Sequence, residues 1–279
     1  MNPLHAALRR RLRERWKSYR RELKACQREF SGESVHESRV AARRLLATLE
    51  LLASLHETAA LRRARRVLKR HLAILAPLRD AQVQSQFVAA WPDRWPVKDD
   101  FAKFLRQQTK RAARPAEKGV SRLKTRRLAK VVARLDHKLR RRQDGTSEPA
   151  DFQRLLTNAA RSFARARSAK AGLNAARPET IHRLRVAFKR FRYTVELLSP
   201  FLPELPADYL PALRSYQGEM GAIQDLTVLL ATAAAFAEDE QHPPAKTRAM
   251  LREIQRHRER LIRRFLQHAN RLDTFWPWK

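Results

Sequence analysis

Ile181-His182-Arg183-Leu184-Arg185-Val186-Ala187-Phe188-Lys189-Arg190-Phe191-Arg192-Tyr193 is the stretch that decides the fold class. Leu184, Phe188, Phe191, Val195 and Leu198 recur at threes and fours, which gathers them on one side of a helix that turns about 100° per residue. His182, Arg185 and Lys189 fall on the opposite side, within roughly 60° of one another along about 10 Å of axis. Arg192 and Tyr193 widen that face.

The same design occurs earlier in the chain. Val35-His36-Glu37-Ser38-Arg39-Val40-Ala41-Ala42-Arg43-Arg44 lies over the first ten residues of that stretch without a gap, at a constant offset of 146, and the alignment runs on to Leu52 against Leu198. Nine of the 18 aligned positions are identical, and Ala42, Leu45, Leu49 and Leu52 repeat the apolar stripe. Leu78-Arg79-Asp80-Ala81-Gln82-Val83 then aligns with Ile223-Gln224-Asp225-Leu226-Thr227-Val228 at an offset of 145. The chain therefore reads as two helical half-domains of one design, each of about four helices.

Helical spacing fills the rest. Leu4, Leu8, Leu12, Trp16, Tyr19, Leu23, Cys26 and Phe30 form one stripe of a long first helix that stops at Ser31-Gly32. Ser34-Val35-His36-Glu37 reads as a capping box that opens a second helix to about Leu55. Further helices are expected over Ala59 to Leu75, from around Asp80 to before the Trp91-Pro92 and Trp95-Pro96 breaks, over Asp99 to about Arg114, and over Glu117 to Arg142. Gln143 to Ala150 is the polar linker between halves. Beyond it come Phe152 to about Leu173, Thr180 to Leu198, a Pro200/Pro203/Pro206 corner, one helix from about Asp208, another from about Asp225 to Ala237, the Pro243-Pro244 break, and Ala245 to Asn270. No strand pattern appears. The expected fold class is all-α.

Composition narrows the function. With 60 Lys+Arg against 28 Asp+Glu the net charge is +32, yet 43% of the 279 residues are hydrophobic, enough for a folded core. Six glycines, against a usual share of about 7%, argue against glycine-rich phosphate loops and dinucleotide fingerprints. A single cysteine, Cys26, cannot form an intramolecular disulfide, and it lies on the apolar stripe as inert core. No run approaches about 18 consecutive apolar residues, so no membrane span is expected, and the arginine-broken N-terminus points to the cytoplasm.

Each copy of the motif presents a row of cations and an imidazole beside a helix N-terminus, which itself attracts anions. Solvation explains a basic face but not His, then Arg three residues on, then Arg or Lys four after that, twice over. Such a row suits a ligand carrying many phosphates.

The two blocks at 35–44 and 181–193, with the later Arg79-Asp80 and Gln224-Asp225 pairs, resemble the conserved histidine α-helical domain, CHAD. The second block is the closer match. The resemblance covers nearly the whole chain as one domain over 1–279, with repeats at about 4–142 and 151–272. It implies two pseudo-symmetric four-helix bundles and a basic groove or pore at their junction that binds inorganic polyphosphate. Carried over residue by residue, it implies contacts from His36, Arg39, Arg43 and Arg44, and from His182, Arg185, Lys189, Arg190, Arg192 and Tyr193. The first copy departs from the second: Leu46 and Ala47 stand where the second has Arg192 and Tyr193, and Ser38 replaces Leu184. No alternating glutamates followed by lysine occur, as the fused triphosphate tunnel enzymes of some members would require, so a stand-alone binding module is implied. Association with polyphosphate granules is left open.

Nonspecific nucleic-acid binding is the alternative, since counterion release rewards positive charge toward either polymer. The runs Arg62 to Arg70, Lys110 to Arg142 and Arg161 to Lys170 could serve it, but no helix-turn-helix, zinc spacing or aromatic platform accompanies them. Catalysis is not expected, because paired carboxylates are missing from the motif faces and no metal or cofactor site is legible. Asp80 and Asp225 are read as capping a helix or fixing an arginine. His5, His56, His71, His137, His242, His257 and His268 are read as scattered surface or helix-end positions, and the Phe275-Trp276-Pro277-Trp278 end as a packing patch.

Overall fold

The computed structural model describes residues 3–91, 97–142, 148–202, 205–238 and 244–276. Trp95, Pro96, Pro203, His242, Pro243, the 143–147 part of the linker and the Pro277-Trp278 pair lie outside the described residues. Among those described there are ten α-helices and no strand: α1 (Pro3–Glu29), α2 (Gly32–Leu55), α3 (Ala59–Ile74), α4 (Ala76–Ala89), α5 (Lys98–Ser121), α6 (Arg126–Arg142), α7 (Glu148–Ala171), α8 (Pro178–Leu198), α9 (Tyr209–Ala237) and α10 (Pro244–His268). The all-α expectation holds.

Two compact units result, and they are not the two halves of the sequence. Unit 1 takes residues 1–76, 115–163 and 190–207, and unit 2 takes 77–114, 164–189 and 208–279, so the boundary cuts α5, α7 and α8.

In unit 1, α1 packs on α2 and α6, α2 on α3, and α3 on α6, closing a ring of four helices. Most of the α1 stripe is buried as the spacing requires: Leu4, Leu8, Leu12, Tyr19, Leu23 and Cys26 are core, as are Ala42, Leu45, Leu49 and Leu52 of α2, the helix α1 packs on, while Trp16 and Phe30 are half-buried. Each such leucine stabilises the fold by roughly 1.5–3 kcal/mol. Two histidines expected at the surface are core groups instead. His5 is fully buried, with Nε2 2.9 Å from the Asp151 carboxylate, which also receives Arg142. His71 is fully buried between Ser38 Oγ at 3.2 Å and Tyr19 OH at 3.3 Å. A ring with two polar nitrogens tolerates burial when both sides find partners. Burial, and then the charge of Arg39, pull the His71 pKa down to about 4.

Three helix boundaries differ from expectation. The α2 N-cap is Ser31, not Ser34: Ser31 Oγ accepts from the Ser34 amide at 3.1 Å, and Ser34 Oγ accepts from the Ser31 amide at 2.9 Å. Phe30, at φ 41°, makes the turn before it. The helix α5 runs through Pro115 to Ser121, so the break expected there moves to 122–125. The alanines around Pro115 sustain the helix across its missing hydrogen bond. Gly119 then lets α5 approach α3, since a Cβ there would lie 2.6 Å from Ile74 Cγ2. The third boundary is the start of α4, which begins at Ala76 with Pro77 in its first turn, where a proline costs no backbone bond.

In unit 2, Val88 of α4, Phe101 and Leu105 of α5, Leu226, Leu229, Ala233 and Phe236 of α9, and Met250 and Ile254 of α10 form one core cluster. Phe188 of α8 packs at 4.9 Å on Tyr216 of α9, and Phe275 closes on both rings. Tyr209 OH donates to the Phe275 carbonyl, so this part of the chain end is core. The two helices expected from about Asp208 and about Asp225 are one helix, α9, because nothing between them breaks it. Asp225 in mid-α9 and Asp80 inside α4 therefore cap nothing. By length and composition α9 is apolar enough to cross a membrane; within the fold its Leu213, Tyr216, Met220, Leu226 and Phe236 are buried.

Candidate functional site

The underside of each motif helix is buried, with Ser38 as a polar group among the apolar ones under α2, so the cations are held on a fixed surface. In α8, Leu184, Phe188, Phe191, Val195 and Leu198 are all fully buried. The upper sides differ residue by residue.

On α2, His36 is half-exposed, with Nε2 3.8 Å from the Glu37 carboxylate. Arg39 is buried, and its Nη1 donates to the Leu72 carbonyl at 2.8 Å. That oxygen belongs to the last turn of α3, where backbone acceptors lack helical partners, so Arg39 closes the end of α3. Arg43 is half-buried and Arg44 exposed, and among the described residues neither side chain makes an ion pair or hydrogen bond.

On α8, the unit boundary falls between Lys189 and Arg190. In unit 2, His182 is exposed with Nδ1 2.7 Å from Gln224 Oε1, which leaves Nε2 facing outward. Arg185 is half-buried, its Nε 4.0 Å from where a Cβ on Gly221 would lie. Asp225 is exposed at the surface, yet desolvation by the protein packed around it raises its pKa. Arg185 lowers it, Asp80 raises it further, and Arg79 lowers it. Arg79 and Asp80 of α4 and Asp225 of α9 thus share one electrostatic neighbourhood with Arg185 of α8. Lys189 is half-buried.

In unit 1, Arg190 is exposed and its side chain has no partner among the described residues. Arg192 is 8% exposed, ion-paired to Glu196, and its guanidinium lies 4.3 Å from the Tyr193 ring centre. It is therefore an anchored cation and not part of an open row. Spacing places Arg192 on the cationic face, but Glu196 one turn later draws it down.

Two groups escaped the sequence reading. Gln224 carries no periodic signal for orienting His182, because that pairing exists only once α8 meets α9. Arg15 of α1 is half-buried within electrostatic reach of both Arg44 of α2 and Glu196 of α8. It brings a residue of the first motif and the end of the second into one neighbourhood of unit 1. No group of three His, Cys, Asp or Glu that could hold a metal occurs among the described residues.

Comparison with known proteins follows the same lines. No curated protein sequence matches the chain. The crystal structure of the CHAD domain from the plant Ricinus communis is similar with a TM-score of 0.69 and 19% identity, covering 98% of this chain and 90% of that one. PptA from Streptomyces chartreusis is similar with a TM-score of 0.65 and 19% identity, covering 96% of this chain and 99% of that one. The family profile of the CHAD domain matches residues 6–234, more than half of the sequence, and the chain belongs to the CHAD family.

Proposed function

We propose that the chain binds inorganic polyphosphate through the His, Arg and Lys of its two repeated helical motifs, without turning it over. The observation that carries this reading is the set of cations left unneutralised on motif helices. Arg43, Arg44 and Arg190 have no carboxylate among the described residues, in a chain of net charge +32. A polyanion supplies the missing charge along its whole length. Guanidinium forks bind phosphate oxygens in pairs, Lys189 adds a point charge, and His182 as an imidazolium donates from the ring nitrogen that Gln224 leaves outward. Membership of the CHAD family supports the same ligand. Contacts of this kind are to a repeating backbone, so binding is independent of sequence or end groups.

The test is a competition titration of polyphosphate against duplex DNA at matched phosphate concentration and about 0.15 M salt, where the Debye length is roughly 8 Å and only close contacts persist. Polyphosphate is expected to win, and it should raise the melting temperature by mass action. Preference for DNA would overturn the proposal.

A further inference from the structure

Three arginines of α1 show what the helix does with a guanidinium. Arg9 and Arg13 both reach Asp136 of α6, at 3.0 Å and 2.6 Å. Arg15 lies two residues after Arg13, is half-buried, and makes no hydrogen bond or ion pair among the described residues. Its neighbours deepen the imbalance. Burial lowers the Arg15 pKa, Arg44 and Arg11 within electrostatic reach lower it further, and Glu14 and Glu196 oppose them. Both carboxylates are already engaged, Glu14 with Arg11 at 3.5 Å and Glu196 with Arg192. A half-buried cation facing like charge costs stability unless an anion arrives.

We propose that Arg15 and Arg44 form a phosphate-binding subsite of unit 1, with Arg192 and Tyr193 adjoining it across Glu196, and that Arg15 is a ligand-binding residue outside both repeated motifs. This rests on the polyphosphate reading above. The two side chains come from α1 and α2, which pack on each other, and neither has an ion pair among the described residues, so both forks are available to one oxyanion. Paired forks of that kind recognise a phosphate group more strongly than either does alone.

The experiment compares Arg15→Gln with Arg10→Gln, which removes the same charge from an exposed position of the same helix. Melting temperature is read without ligand and with long-chain polyphosphate, and affinity by titration at fixed salt. Arg15→Gln is expected to weaken polyphosphate binding about tenfold and Arg10→Gln less than about twofold, the difference between a close charged contact and a screened one. Without ligand, Arg15→Gln should melt no lower than wild type, since it relieves repulsion, while its gain on adding polyphosphate shrinks. Equal losses in the two variants, with wild type binding, overturn the role of Arg15 and leave the polyphosphate reading standing. A wild type that does not bind polyphosphate overturns both. If Arg15→Gln does not fold, Arg15→Lys keeps the charge without the fork; a loss of several-fold sustains the subsite, and unchanged affinity overturns it.

Discussion

At aligned positions 38 and 184, α2 carries a serine bonded to a buried imidazole, and α8 carries a leucine packed among apolar side chains. The next aligned pair diverges as well: Arg39 is buried on a backbone carbonyl, whereas Arg185 stays half-exposed near Asp225. Glu50 and Glu196 also align, yet Glu50 lies 3.8 Å from Lys69 of α3, while Glu196 holds Arg192 on its own helix. One outward pattern thus stands on two different foundations. The first row is seated by a polar seam and donates one of its arginines to structure. The second is seated by hydrophobic burial and keeps its middle arginine near the surface.

The largest expected effect exploits the polar seam under α2. His71 has a pKa of about 4 in the fold against 6.5 for a free imidazole, so the unfolded chain takes up the proton first. Its contribution to stability is complete above pH 6.5 and is lost as pH falls toward 4, by about 3 kcal/mol. Denaturant melts across that range should show the slope in wild type and a flatter one in His71→Leu, which has no counterpart under α8. An unchanged slope would remove the seam from the comparison.

The exposed second row is tested by Arg185→Ala with Lys189→Ala. Together they should weaken polyphosphate binding by more than about tenfold, whereas Arg111→Ala with Arg122→Ala should cost about twofold. Equal losses would mean a diffuse charge effect in place of an ordered row.

Glu196→Gln leaves Arg192 poorly compensated and should destabilise the protein by about 1–2 kcal/mol, measured by chemical denaturation. Glu50→Gln, with a longer and more open contact, should cost less than about 0.5 kcal/mol.

Gln224→Ala should weaken polyphosphate binding about threefold by freeing the His182 ring, and should add nothing once His182 is alanine. The position aligned with Gln224 is Arg79, which cannot accept from an imidazole, so no such coupling is expected for His36.

Gly221→Ala acts in the opposite direction: the nearest side-chain atom to the added Cβ is Arg185 Nε at 4.0 Å, so the helix should gain about 0.5–1 kcal/mol, measured by chemical denaturation.

Most of the fold was legible because helices with one buried stripe announce themselves, as α1, α2 and α8 do. Pro115 misled because a proline is a local cost that good helix formers and close packing can override. The α9 helix was read as two because Asp225 resembles a cap when only the sequence is in view. Within the site, the positions of His182, Arg185 and Lys189 along one face followed from spacing alone. The engagement of Arg39 with Leu72 and of Gln224 with His182, and the electrostatic proximity of Arg15 to Arg44, did not, since each joins two helices and no single-helix period encodes a neighbour.

The bond from Arg39 to Leu72 ends on a peptide oxygen, and every amino acid at position 72 would still furnish one. Drift in the third helix cannot readily erase that anchor. The charge that faces Arg185 is the carboxylate of Asp225, which a single codon change can delete or replace. The first row is therefore buffered against mutation, and the second is the one that selection can most easily retune.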